Sequence, residues 1–314
     1  MKRAAFTALL AGAAAAPRIA SAQAAPTVIR VGTAPVESYA LVYQGVERGF
    51  FKAAGLDVQI QSFSGGGGVM TAFAGGALDM GCANIGAQAN AHIRGLPLAM
   101  IAGGGLYTSA SPTTVLAVAK NSPFKTGKDL NGKTIAVSTL KDLQQASVMK
   151  WVDANGGDSS TLKFVEIPVP EMAPAIQAGR IDGACVLEPS LTFAKNDIKI
   201  FAKCYDAIAK MLAINSHFAN PEWLDKNPVA AQKFIVACRQ TAQWANKNKV
   251  ESGAIIEKIS KIPAATVGEM NRVVYAENLD PALMQPVIDA TALYKFLPRT
   301  FNVTEMFWSK LPKA

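Results

Sequence analysis

Apolar residues along this chain fall into short runs whose period switches between two residues and three to four, and the order of the runs repeats. Val28 to Ala34 (VIRVGTA) is a β-rich run. Over Ser38 to Ala54, Tyr39, Val42, Tyr43, Val46 and Phe50 keep the spacing of one helical face, and Gly55 ends that helix. Leu56 to Phe63 (LDVQIQSF) alternates as a strand does, Ser64-Gly65-Gly66-Gly67-Gly68 breaks it, Val69 to Ala74 is a short helix, and Leu78 to Asn84 re-enters the sheet. The pattern predicts strand, helix, strand, helix, strand.

The same order then returns. Lys133 to Thr139 (KTIAVST) is a strand, and Asp142 to Asn155 a helix with Leu143, Val148, Trp151 and Val152 inward and Gly156-Gly157 as its stop. Leu162 to Val169 is the next strand, Glu171 to Ala178 a short helix, and Ile181 to Leu187 the third strand. Each third strand is introduced by one signature, G-x-[LI]-D-x-x-C: Gly76-Ala77-Leu78-Asp79-Met80-Gly81-Cys82 in the first copy and Gly179-Arg180-Ile181-Asp182-Gly183-Ala184-Cys185 in the second. Glycine there caps a helix in the left-handed conformation, the aliphatic residue packs beneath the turn, and aspartate suits a turn that launches a buried parallel strand. One such match is an ordinary αβ loop, but two at the same place in two βαβαβ units predict two similar lobes.

Thr114 to Ala119 (TVLAVA) is expected to carry the chain into the second lobe and Met211 to Asn215 (MLAIN) to carry it back, two crossing strands that form a hinge. From Asn220 onward the pattern is helical. Asn227-Pro228 reads as a cap and first-turn proline, with Phe234, Ala237, Cys238 and Trp244 on one apolar face, and further helices are predicted over Pro263 to Tyr275 and Asp280 to Phe296, padding the first lobe. The chain is thus α/β, with a leader over 1–24, the first lobe begun by 26–114, the second over 115–212, and a helical return to the first over 213–314.

The leader is a reading of the first two dozen residues. Lys2 and Arg3 precede an apolar run from Phe6 to Ala16, Pro17 closes it, and Ala20-Ser21-Ala22 or Ala22-Gln23-Ala24 supplies a small-x-small cleavage site. The run is too short to span a bilayer, and no cysteine near the junction offers a lipid acceptor, so the mature product is expected to be free in the periplasm. Loss of Lys2, Arg3 and Arg18 lowers the formal charge of +8 by three. The remaining basic residues are scattered and do not alternate with aromatics, so no nucleic-acid partner is expected, and the chain is read as a monomer. The roughly 290 residues that remain exceed one compact core.

Cys82, Cys185, Cys204 and Cys238 are widely spaced and are read mainly as buried thiols. With no CxxC and only His92 and His217, far apart in the chain, neither a metal site nor a cofactor is expected. Ligands of open α/β sheets bind at the carboxyl ends of the strands, which places the candidate site between the lobes. The Ser64 to Gly68 loop carries the sharpest chemistry, because glycines ahead of a helix let successive N–H groups enclose an anionic group; it lacks the lysine of a Walker loop and does not match GxGxxG. Ser138 and Thr139 occupy the equivalent turn of the second copy, where they cap the next helix or meet the ligand. Glu188, ahead of Pro189, either accepts a hydrogen bond from an amino group or ring nitrogen or pairs with a local Lys or Arg. Tyr39 and Tyr107 are candidates to flank the ligand or to serve in packing.

In this order, IRVGTAP, ERGFFKAAGLDVQI, the glycine loop with GGALDMGCAN, GLPLAMIAG, DLNGKTIAVST and AGRIDGACVLEP resemble the SsuA/THI5-like, or NMT1-like, group: the nitrate, sulfonate, taurine and thiamine-precursor binding proteins of ABC transporters. The likeness covers nearly all of the mature chain. It implies a type II periplasmic binding protein fold that closes on a small-molecule solute and delivers it to an ABC permease driven by a cytoplasmic ATPase, with no catalysis. It also implies cleft positions at Ser38 and Tyr39, Ser64, Gly65, Gly66 and Gly67, Asn84, Ser138 and Thr139, and Glu188. A short anionic or zwitterionic organic molecule, a sulfonate, carboxylate or pyrimidine precursor, suits both the amide nest and the lone carboxylate. Two alternatives stay open: an enzyme like the eukaryotic THI5 proteins, against which stand the export signal and the missing cysteine-rich motif, and a ligand-sensing subunit that docks on a membrane receptor.

Overall fold

Two five-stranded sheets, each opened by the repeat found in the sequence, organise residues 25–312, the part of the chain that the computed structural model describes; the expected leader lies outside it. The first repeat runs β1 (Thr27–Thr33), α1 (Leu41–Glu47), α2 (Phe50–Ala53), β2 (Leu56–Ser62), α3 (Gly66–Ala74) and β3 (Met80–Asn84). After it come α4 (Ile85–Ile93), β4 (Ala99–Gly103), β5 (Gly105–Thr108) and β6 (Thr114–Ala119). The second repeat is β7 (Thr134–Val137), α5 (Leu143–Ala154), β8 (Lys163–Glu166), α6 (Val169–Gln177) and β9 (Gly183–Leu187). It continues through α7 (Ser190–Phe193), β10 (Ile198–Ala202), β11 (Met211–Ala213) and β12 (Asn215–Ala219). The chain then closes with α8 (Pro221–Lys226), α9 (Pro228–Lys247), α10 (Lys249–Ser260), α11 (Ala264–Glu269), β13 (Val274–Tyr275) and α12 (Pro281–Leu293).

The sheets have matching orders, β2-β1-β3-β12-β4 and β8-β7-β9-β6-β10. In each, the first three strands of the repeat are parallel and the fourth is antiparallel. That fourth strand is the first one laid down after the chain crosses: β6 on entering the second sheet, β12 on returning to the first.

The shared aspartate of the G-x-[LI]-D-x-x-C signature has a physical role. Asp79 Oδ2 accepts the Arg30 backbone N–H at 2.9 Å while the Asp79 N–H donates to the Arg30 carbonyl at 3.0 Å, so the middle of β1 is clamped to the approach to β3. Asp182 does the same to Thr134 at the head of β7, at 2.9 Å in both directions. A basic side chain reaches each carboxylate, Arg30 in one copy and Lys133 in the other. Gly76 (φ 74) and Gly179 (φ 66) hold the left-handed turns ahead of them.

Strand alternation divides the apolar residues. On the second sheet, Leu116, Ile135, Val137 and Cys185 face α5 and join a core that continues into the first lobe. Val115, Ala117, Ala136 and Val186 face α6 and α7 in a core of their own. Each fully buried Leu, Ile or Val of this kind contributes roughly 1.5 to 3 kcal/mol.

Three boundaries differ from the expectations. Thr114–Ala119 does not cross between lobes; it is interior to the second sheet, and the crossing is made by β5, which pairs antiparallel with β11 and with β13 in a three-stranded sheet. The single helix expected over Ser38 to Ala54 is a 3-10 turn (Glu37–Tyr39), α1 and α2, interrupted at left-handed Gly49. Pro263 to Tyr275 is not one helix: α11 ends at Glu269 and the chain extends to join β5 through β13. In addition α12 does not merely pad the first lobe, since it packs on α4, α5 and β11, and Tyr294 at its end donates to Asp153 of α5 at 2.8 Å.

Candidate functional site

The carboxyl ends of the parallel strands of both sheets meet along one seam. The glycine loop after β2 faces the turn after β7 so closely that a Cβ on Gly65 would stand 3.7 Å from the Ser138 carbonyl oxygen, and one on Gly67 would stand 3.4 Å from Thr139 Oγ1. The Tyr39 hydroxyl lies against the same loop, 3.2 Å from where a Gly66 Cβ would be. A methyl group would just fit at these positions in van der Waals contact with the facing lobe, so the two halves lie one atom's width apart. Among the described residues, the amides of Gly66, Gly67 and Gly68 that open α3 donate no hydrogen bond, as the first turn of a helix leaves them.

A direct bond across the seam joins two helix starts. Asn84 caps α4, its Oδ1 accepting the Ala87 N–H at 2.8 Å, and its Nδ2 donates to Asp142 Oδ2 at 2.6 Å. Asp142 caps α5, with Oδ1 accepting from the Gln144 and Gln145 amides at 2.9 and 3.4 Å. It is completely buried and forms no ion pair among the described residues; burial pushes its carboxyl up to about 7 despite these three donors, with Glu166 adding to the rise. Burial, then Cys82 and Asp142, hold the Tyr39 hydroxyl well above its ordinary value.

Other expected residues are placed as follows. Ser138 turns inward to its own helix: its N–H and hydroxyl both bond Gln144 Oε1, at 2.7 and 3.1 Å. Ser38 is buried, its carbonyl accepting from Asn215 Nδ2 at 3.0 Å, while its hydroxyl and that of Thr139 are buried without a partner. Glu188 is buried and paired with neither Lys nor Arg; it accepts from the Thr192 N–H and hydroxyl at 3.1 and 2.9 Å and from the Asn271 N–H at 3.3 Å. Burial raises its carboxyl, those three donors oppose the rise, and Glu37 adds to it. Tyr107 is not beside the seam cavities: it is buried on β5, edge-on to Tyr205, and donates to Asp206 at 2.7 Å. His92 stacks on Phe301, and His217 is buried in β12 with Nδ1 2.9 Å from the Gly103 carbonyl.

The seam opens on each side. One cavity of about 600 Å³ runs between Pro35, Val36 and Ser64 of the first lobe and Pro168, Pro170 and Pro189 of the second. On the other side about 640 Å³ lies between α3 and α4 and the Thr139-Leu140-Lys141 turn. Volumes of this size hold an organic molecule. Among the described residues no cluster of three or more His, Cys, Asp or Glu is arranged to hold a metal ion, and no helix is long and apolar enough to cross a membrane. The four cysteines are buried and free, Cys185 Sγ lying 3.7 Å from Cys204 Sγ.

Sequence reasoning missed Asp142 as a cleft residue and Asn271 as a partner of Glu188. Asp142 had a signal, since it starts the helix at a strand's carboxyl end, but its partner Asn84 is 58 residues away. Asn271 had none, because the pattern around it predicts a helix.

The family model described as NMT1/THI5 like matches residues 37–252. No curated protein matches the sequence. Among solved structures, the periplasmic aliphatic sulphonate binding protein SsuA from Escherichia coli is 16% identical at a TM-score of 0.71, over 92% of this chain and 94% of that one. A ligand binding component of an ABC-type import system from Staphylococcus aureus is 16% identical at a TM-score of 0.77, over 90% and 96%. The periplasmic nitrate-binding protein NrtA from Synechocystis is 15% identical at a TM-score of 0.72, over 89% and 84%. At such identities the likeness establishes the fold, that of a type II periplasmic binding protein: two lobes with crossing strands between them.

Proposed function

The chain belongs to the NMT1/THI5-like family, and from that membership and the seam we propose that it is the periplasmic solute-binding protein of an ABC importer. It takes a small anionic or zwitterionic organic solute between the lobes and hands it to a membrane permease worked by a cytoplasmic ATPase. Export relies on the leader over 1–24, and the mature protein is a free monomer without catalytic activity.

The observation that supports this best is the seam itself. Equivalent strand ends from both lobes converge there, free amides open α3, and the Ser38 and Thr139 hydroxyls are buried without partners, which is what a polar guest would satisfy. Solved structures of the same fold include ABC-type periplasmic binding proteins, among them the sulphonate- and nitrate-binding ones above. A solute that touches both lobes stabilises the closed arrangement by its differential affinity, while β5 and β11 absorb the rotation.

The test is a thermal-shift screen of the refolded, ligand-stripped protein against sulfonates, carboxylates, amino acids and pyrimidines. A true solute present at a thousand times its Kd adds roughly 4 kcal/mol of stability. The proposal fails if no compound raises Tm, or if a compound that does is chemically converted by the protein alone.

A further inference from the structure

The cavity of about 600 Å³ is apolar over much of both walls, with six prolines in its lining. The second lobe supplies Pro168, Pro170, Pro174 and Pro189 together with Ala173 and Phe193, and Phe193 is an aromatic left 61% exposed. Prolines present rigid apolar rings and no N–H. They also weaken the start of α6, on that wall, as a place for an anion. In the first turn of α6, Pro170 has no amide hydrogen, the Glu171 N–H is bonded to the Pro168 carbonyl at 2.9 Å, and the Glu171 carboxylate opposes negative charge. The first lobe's wall adds Pro35, Val36, Ile262 and Pro263 and also brings Ser64, Ser260 and the cavity's one cation, Lys261, which has no ion pair among the described residues. The second lobe's wall also includes Gln177, Ser190 and one carboxylate, Asp197, which repels an anion from that side.

A compact oxyanion or a two-carbon sulfonate would leave most of this space empty and its prolines uncovered, even when held at the cavity's one lysine. We propose that the solute is an organic acid with a bulky, ring-bearing apolar body, lying against the proline wall of the second lobe with its anionic end at Ser64 and Lys261. This inference rests on the solute-binding reading above and narrows its substrate class. Apolar burial supplies the affinity and the serine–lysine wall fixes the orientation, the usual division of labour in small-molecule sites.

Calorimetry on the ligand-stripped full-length mature protein, with acetate, benzoate, 2-naphthoate, taurine and nitrate as probes, tests it. Affinity is expected to rise at least tenfold from acetate to benzoate and again to 2-naphthoate, with 2-naphthoate at least tenfold tighter than taurine. Phe193→Ala and Lys261→Gln, both at exposed positions, should each weaken 2-naphthoate binding about tenfold, with ligand-free Tm confirming that both variants fold. If taurine or nitrate binds more tightly than the aromatic acids, the substrate class is wrong and solute binding stands. If 2-naphthoate binds both variants as tightly as the parent, the cavity is not the site. If none of the five binds and the broader thermal-shift screen is also blank, the solute-binding reading fails with it.

Discussion

Replacing Asp142 with Asn should flatten the pH dependence of stability. Asp142 is completely buried, bonded to two backbone amides of its own helix and to Asn84 of the other lobe, and burial lifts its carboxyl from the ordinary 3.8 to about 7. Because the folded-state value lies above the unfolded one, the folded protein holds this proton more tightly. Its contribution is therefore complete below about pH 4, falls as pH rises, and is gone above about pH 7. A gap of about three units at 1.36 kcal/mol each gives roughly 4 kcal/mol as the upper bound. The substituted side chain of Asp142→Asn keeps an oxygen for the Gln144 and Gln145 amides but sets an amide nitrogen against Asn84 Nδ2, a mismatch costing about 1 to 3 kcal/mol that does not titrate. Urea denaturation of both proteins from pH 4 to 8.5 is the assay, because the difference between the two curves cancels every other group. The parent should lose up to about 4 kcal/mol more than the variant between pH 4 and 7, with no further divergence above. Parallel curves, within about 0.5 kcal/mol throughout, would refute the claim that this carboxyl is buried at a closed seam.

Other consequences are equally specific. Arg272 donates to buried Glu37 at 2.8 Å, so Arg272→Ala leaves a buried carboxylate with no bonded cation and only the Val273 N–H as donor, and should cost about 3 to 5 kcal/mol by urea midpoint. Asp182→Ala removes the acceptor of the Thr134 N–H and should cost about 1 to 3 kcal/mol while leaving solute affinity unchanged in calorimetry, since it lies at the opposite end of the strands from the seam. A Cβ on Gly104 would stand 2.8 Å from the Asn215 carbonyl oxygen, where Asn215 also ties Gly105 to Ser38, so Gly104→Ala should destabilise by about 1 to 3 kcal/mol and alter solute affinity through the crossing strand.

The duplication was legible because its signature has a local cause. Asp79 and Asp182 each answer a backbone amide of the neighbouring strand, so the residue recurs wherever the geometry does. The crossing was not. Both β5 and β6 are short and apolar, and which of them leaves the sheet depends on pairing with β11 and β13, more than a hundred residues further on. The glycines at 104 and 105 were the available clue, since a chain passing so close to Asn215 and Ser38 tolerates no side chain. Placement of the glycine loop at the seam followed from its position in the repeat. Side-chain roles followed less well: Ser138 and Glu188 are spoken for by Gln144 and by Thr192 and Asn271, and Tyr107 by Asp206. Those partnerships are set by tertiary packing, to which hydrophobic period is blind. The prolines at 168, 170 and 174 were visible in the sequence, but only the facing wall gives them a meaning as a surface.

Whether the guest enters between the lobes can be asked with a covalent lock. An ideal Cβ on Gly65 lies 4.0 Å from the Ser138 Cβ, within the range a disulfide spans, and Gly65 is in an extended conformation (φ 178) that cysteine adopts freely. The double variant Gly65→Cys, Ser138→Cys, oxidised, should neither admit nor release the tightest-binding solute of the screen in stopped-flow mixing, and reduction should restore both rates. Unchanged exchange in the oxidised protein, with the crosslink verified by mass spectrometry, would show that the solute binds somewhere other than the seam.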